Sequence, residues 1–137
     1  MCKSFSLSTS LPTRGQLQRK LSQQIQALYL QQMGHQPSKT SCKIDDRNLT
    51  IIVENSLTQP EHILAEQGQS DLVKKVRSNL DDAFKPELKK TIEAVVGVEV
   101  EEILSDAAID SGRTGIVAIL TAKPMFREPT SQVKSKS

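Results

Sequence analysis

The 137-residue sequence has no Trp, one Tyr and three Phe. So few aromatics leave no stacking platform for single-stranded nucleic acid. No run of Lys and Arg marks a phosphate-tracking stripe either, so nucleic acid is not an expected partner. Only two Cys occur, Cys2 and Cys42, and Cys2 lies in a Ser/Thr-rich end. A structural disulfide is not expected, and both read as reduced thiols of a cytoplasmic protein. His35 and His62 stand alone, with no Cys/His cluster at metal-ligand spacing. No metal and no cofactor is expected. Long apolar runs are missing too. No stretch approaches the roughly 20 residues that span a bilayer, so the chain does not read as an integral membrane protein. The opening "MCKSFSLSTSLPTRG" lacks the apolar centre of a secretory signal.

Acid is absent from residues 1–44, which carry six basic side chains. Residues 45–121 reverse the balance with 15 acids against 8 bases, and residues 122–137 are basic again. The net charge of +2 hides this split. Basic ends of this kind either steer an anionic partner or pair with the acidic middle, within one chain or across a homodimer. Arg14, Arg19 and Lys20 form the candidate basic partner surface. The helix that carries them lacks the Trp and Phe of a strong interfacial helix. The expected location is cytoplasmic, with peripheral attachment at the membrane as the alternative.

The length suits one domain with a modest core. Residues 1–12 read as a disordered lead, 13–122 as a single α+β domain and 123–137 as a disordered basic tail. A helix is predicted from Thr13 to Met33, with Leu17, Leu21, Ile25, Leu28 and Tyr29 on one stripe and Gly34 as its stop. "SCKIDDRNLTIIVEN" reads as a hairpin that turns at Asp45–Asn48, with Leu49, Ile51 and Val53 on one face. Thr58, Pro60 and Glu61 form a capping-box start for a short helix ending at Gly68. Ser70 is read as the cap of a longer helix to Gly97. Its predicted stripe is Leu72, Val76, Leu80, Phe84, Leu88, Ile92 and Val95, with a kink or break near Lys85 caused by Pro86. Pro86 reads as a hinge or as a fixed bend over the sheet, and the fixed bend is preferred. "VEVEEIL" is a strand with Val98, Val100 and Leu104 in phase, and "IVAILTA" is a strand apolar on both faces, hence central.

The order α-β-β-α-α-β-β predicts a four-stranded antiparallel sheet with helices on one face. It is also the order that a ferredoxin-like sandwich yields when cut at its first strand. One sheet face is left uncovered, with Ile52 and Ile103 expected on it, and a homodimer is the expected cover.

Between the last two strands lies "LSDAAIDSGRTG". Ser105, Asp106, Asp110, Ser111, Gly112 and Arg113 make it the candidate polar site, with Asp106 and Asp110 as a carboxylate pair for acid/base work or a hard cation. The other reading is a hairpin connection. Asp110-Ser111-Gly112 is good turn chemistry with Gly112 at positive φ, and no base, nucleophile elbow or phosphate loop accompanies it. The hairpin is preferred, and it leaves Ser105-Asp106 without a role.

The segment "SLTQPEHILAEQGQSDLVKKVRSNLDDAFKPELKKTIEAVVGVEV", followed by Ser-Asp, a Gly and a final strand, resembles the MpsC family, the Na+-translocating membrane potential-generating system C domain. The likeness covers about residues 12–122 and rests on Pro60, Pro86, Gly97, Ser105, Asp106, Gly112 and, loosely, Arg113. The terminal extensions and the Gln-rich first helix look like cyanobacterial members. The resemblance implies a non-enzymatic accessory or regulatory protein, tied to a membrane transport complex for a cation or inorganic carbon, and it supplies no catalytic residue. The alternative is a small-ligand or cation-binding, enzyme-like domain built on Asp106, Asp110 and Arg113.

Overall fold

The computed structural model describes residues 11–127. Residues 1–10 and 128–137, which hold most of the expected lead and tail, lie outside them. The elements follow in the order α1 (Arg14–Met33), β1 (Lys39–Asp45), β2 (Asn48–Glu54), α2 (Gln59–Glu66), α3 (Ser70–Val96), β3 (Val100–Ala108) and β4 (Arg113–Leu120). The four strands form one antiparallel sheet in the order β1-β2-β4-β3. Moving the first strand of a ferredoxin-like sandwich to the chain's end gives this same order. The apolar strand β4 is central, as its two-sided hydrophobicity predicts.

Thr13 starts α1 with a reciprocal cap. Its Oγ1 accepts the Gln16 N–H at 3.1 Å, and its own N–H reaches Gln16 Oε1 at 2.9 Å. Gly34 ends the helix at φ +68°. Leu17, Leu21, Ile25, Leu28 and Tyr29 are all buried. They meet Cys42, Ile44, Leu49, Ile51 and Val53 of the first hairpin and Phe84, Leu88 and Ile92 of α3 in one core. Burial pushes the Cys42 thiol up to about 11.

The structure corrects the reading of α3. Pro86 does not break the helix in two, since the helix runs on from Ser70 to Val96, and Gln69 rather than Ser70 is its N-cap. Pro86 lies inside the helix on its exposed side and borders the groove beside β3. The buried stripe is Val73, Arg77, Asp81, Phe84, Leu88, Ile92 and Val96. Leu72 and Leu80, expected inside, are 45% and 38% exposed. The C-terminal half follows the expected phase, while the N-terminal half is turned by one residue because two charged side chains hold the buried positions.

A second correction concerns β3. A bulge between Val100 and Glu102 flips the alternation. Val100 faces the helices, but Leu104 faces away from them and is 52% exposed. Ile103 turns inward and packs on the core, so it is not on the uncovered face where the sequence placed it. Ile52 is on that face, beside Gly115. The strand also runs on to Ala108, so most of "LSDAAIDSGRTG" is strand, with the turn at Ile109–Gly112. At the far end, Phe126 packs against the core, and the Arg127 N–H bonds the Pro12 carbonyl at 2.7 Å.

Candidate functional site

The charged residues that displace Leu72 and Leu80 from the core form a network centred on Arg77, which is 1% exposed. Its Nε donates to Glu61 Oε2 at 3.0 Å, and its Nη2 donates to Glu61 Oε1 and to the Ser56 carbonyl, the latter at 3.0 Å. Asp81, one turn along α3, accepts from Nη1 at 3.4 Å. Glu61 sits in the first turn of α2 and also accepts the Thr58 N–H and hydroxyl, at 2.8 and 2.9 Å. One carboxylate thus starts α2 and anchors α3. Ser56 carries the network onward. Its N–H bonds the Gly112 carbonyl at 2.8 Å, and its hydroxyl pairs with Thr114 Oγ1 at 2.7 Å. The hairpin that the sequence singled out is therefore latched to Arg77 through Ser56.

The two acids respond differently to this setting. Burial works to raise the Glu61 carboxyl, but the Arg77 hydrogen bonds, helped by Thr58, outweigh it and hold the group below its usual range. For Asp81 burial wins over the longer contact to Arg77, and the carboxyl is raised. Burial lowers Arg77, yet Glu61 and Asp81 more than restore it, so the guanidinium stays charged. Tyr29 lies against this network. Burial raises its phenol above its ordinary value, and its hydroxyl finds no hydrogen-bond partner among the described residues.

Above Arg77 and Asp81 a groove of about 340 Å³ opens between α3 and the free edge of β3. Ser105 and Asp106 line it, opposite Lys74, Lys75, Ser78 and Asn79. Ser105 faces the helices and is half-buried. Asp106 is exposed and folds its carboxylate back on the Ala107 N–H at 2.9 Å. A second groove of about 410 Å³ continues along the same edge, past Asp82, Lys85 and Glu102.

The other candidate residues are placed apart from these two. Asp110 and Ser111 sit in the exposed turn. Gly112 takes φ +74°, the conformation the hairpin reading requires. Arg113 pairs with Glu54 at 2.7 Å on the sheet face away from the helices. Asp106 and Arg113 therefore do not share the groove. Arg14, Arg19 and Lys20 do not share a face either, since a helix turns about 100° per residue. Arg14 lies over the Phe126 ring at 5.1 Å, and Lys20 borders the cleft between α1 and α3. His35 holds the Asn55 carbonyl at 2.8 Å. Among the described residues, no group of three or more His, Cys, Asp or Glu side chains is placed to hold a metal ion.

Sequence reasoning did not find the Arg77 network. A signal was present: Arg77 and Asp81 are spaced four apart and lie in phase with Phe84, Leu88 and Ile92. The apolar Leu72, Val76 and Leu80 offered a competing phase.

Among the described residues no helix is long and apolar enough to cross a membrane. No curated protein and no solved structure matches the chain. A family model described as the Na+-translocating membrane potential-generating system (MpsC) matches residues 13–122, from the capping Thr13 to just past the last strand. The match takes in every helix and strand of the domain, and the chain belongs to the MpsC family.

Proposed function

We propose that the protein is a non-enzymatic accessory or regulatory component, a homodimer that binds another protein, in a membrane transport system for a cation or inorganic carbon. The family description, a Na+-translocating membrane potential-generating system, supports that setting. The observation that carries the non-enzymatic reading is the engagement of Arg77 by its own neighbours. Its donors go to Glu61, Ser56 and Asp81, so the most deeply placed charge offers little to a substrate. Electrostatic catalysis needs donors aimed at the place where charge develops. The uncovered strand face around Ile52 and Leu104 favours a protein partner or a second copy. A cytoplasmic location at or near the membrane fits this role.

Affinity capture of the intact protein from lysate, with the membrane fraction included, tests the proposal. Recovery of a membrane transport subunit at near-equal amounts is expected. A return with no partner overturns it. The second reading, a small-ligand or cation-binding domain using Asp106, Asp110 and Arg113, is favoured by one observation, the place of Asp106 on the groove wall. Asp106→Asn with Asp110→Asn separates the two. If cation affinity disappears while partner capture persists, the second reading takes the lead.

A further inference from the structure

We propose that two copies pair antiparallel through the free edges of β3, with Ser105 on the two-fold axis, and so build one continuous sheet. The inference rests on the homodimer reading and says which edge makes it.

The two edges of the sheet are treated differently. On β1 the outward N–H of Ile44 is taken by Gln18 of α1 at 2.9 Å, and Gln26 of α1 bonds Thr40 at 2.7 Å. That edge is met by α1 through one backbone bond and one side-chain bond. On β3 the ends alone are closed: Val100 N–H bonds Glu93 at 2.8 Å, and Ala107 N–H bonds its neighbour Asp106. The Ala107 amide shows which residues point outward, since hydrogen-bonded and open positions alternate along an antiparallel strand. Ile103, Ser105 and Ala107 therefore present their backbone groups at the free edge. No described side chain covers those of Ile103 and Ser105.

A two-fold axis through Ser105 matches these groups. Ser105 meets its own copy, and Ile103 meets Ala107. Leu104 then lies opposite Asp106, and Glu102 opposite Ala108, so no carboxylate faces another. An axis through Leu104 would set Glu102 against Asp106, which is unfavourable across strands. In the Ser105 register the Ala107 amide exchanges its Asp106 partner for the Ile103 carbonyl of the second copy.

The helices fit the same axis. Four strands at about 4.8 Å span about 19 Å, the width of two packed helices at about 9–10 Å. Continuing the sheet therefore brings α3 against α3. Ser78 and Asn79 line the groove with Ser105, at the middle of the stretch of α3 that borders it, and are taken as the crossing point. Antiparallel helices crossing there put Lys75 beside Asp82 of the second copy and Asp71 near Lys85. All four residues line the β3 grooves. The pattern is self-complementary, as an isologous interface requires.

Ser105→Cys in a Cys2→Ser background tests the register. Opposed residues of a hydrogen-bonded pair have Cα atoms about 5.5 Å apart, within disulfide reach. Cys42 is buried and stays out of the reaction. Under mild oxidation Ser105→Cys is expected to give a covalent dimer, and Ile52→Cys, on the open sheet face, is not. Lys75→Glu and Asp82→Lys are each expected to weaken the dimer by about three- to tenfold, and the double variant to restore it. A dimer that crosslinks through Ile52→Cys and not Ser105→Cys overturns the edge pairing and leaves the homodimer reading standing. Failure of the double charge reversal to rescue overturns the helix contact and with it this register. A chain that sediments as a monomer at high concentration overturns both the edge pairing and the homodimer.

Discussion

Arg77 meets Glu61 at two points, Nε to Oε2 at 3.0 Å and Nη2 to Oε1, with both side chains withdrawn from solvent. The pair joins the long helix to the first turn of the short one. It also holds the Ser56 carbonyl just past the end of β2, so three segments are fixed by one guanidinium. Such a pair adds little net stability over well-packed apolar groups, but it is costly to break.

Arg77→Met is expected to lose about 3–5 kcal/mol, because it leaves Glu61 and Asp81 buried without a cation. Replacing all three together, with Arg77→Met, Glu61→Leu and Asp81→Leu, is expected to recover part of that loss, because the Thr58 N–H and the Ser56 carbonyl stay unpaired. Urea denaturation followed by circular dichroism measures both. A single variant within about 1 kcal/mol of the parent contradicts the buried pairing.

The two carboxyls have opposite pH dependence. Glu61 is lowered in the folded state, so its contribution is present above its unfolded pKa and is lost as pH falls through the folded value. Asp81 is raised, so its contribution is present below its unfolded pKa and is lost as pH rises through the folded value. At neutral pH the Asp81 charge therefore costs stability. Asp81→Asn is expected to be at least as stable as the parent at pH 7, with the gain fading below about pH 4, where an unfolded Asp also binds its proton. Glu61→Gln is expected to be destabilised at pH 7 and to converge on the parent in acid. Denaturant melts from pH 3 to 8 decide it, and parallel curves for the two variants would refute the assignment.

Much of the architecture was legible in the sequence because it rests on local chemistry. Thr13, Gly34, Gly97 and Gly112 mark element ends through caps and positive φ, and the α1 stripe has a single apolar phase. The strand order is the one that the permuted ferredoxin-like sandwich, one topology compatible with the order of elements, would have. Two features depended on contacts made at a distance. Arg77 and Asp81 read as surface charges until Glu61 and Ser56 are brought to them, and the Val100–Glu102 bulge adds a residue that no two-residue period reveals. The candidate site was half legible. Ser105 and Asp106 do line a groove, while Arg113 is drawn to Glu54 by a strand pairing invisible in the linear chain.

The phase of α3 can be tested directly. Leu72→Ala and Leu80→Ala, which the sequence pattern would place in the core, are expected to cost under about 1 kcal/mol because both side chains are substantially exposed. Leu88→Ala is expected to cost about 2–5 kcal/mol at a fully packed position. Equal losses at Leu80 and Leu88 in thermal melts would return the helix to the apolar phase.

The latch between Ser56 and the last hairpin bears on whether that hairpin is more than architecture. Ser56→Ala removes the partner of the buried Thr114 hydroxyl and is expected to cost about 1–3 kcal/mol. Adding Thr114→Val removes the stranded group, so the double variant is expected to be more stable than Ser56→Ala alone. The backbone bond from Ser56 N–H to the Gly112 carbonyl survives in both. If the hairpin is only a connection, the double variant keeps full partner capture, because nothing at the surface has changed. Loss of capture in that variant, with its melting curve intact, would show that the geometry of residues 109–113 is itself read by the partner.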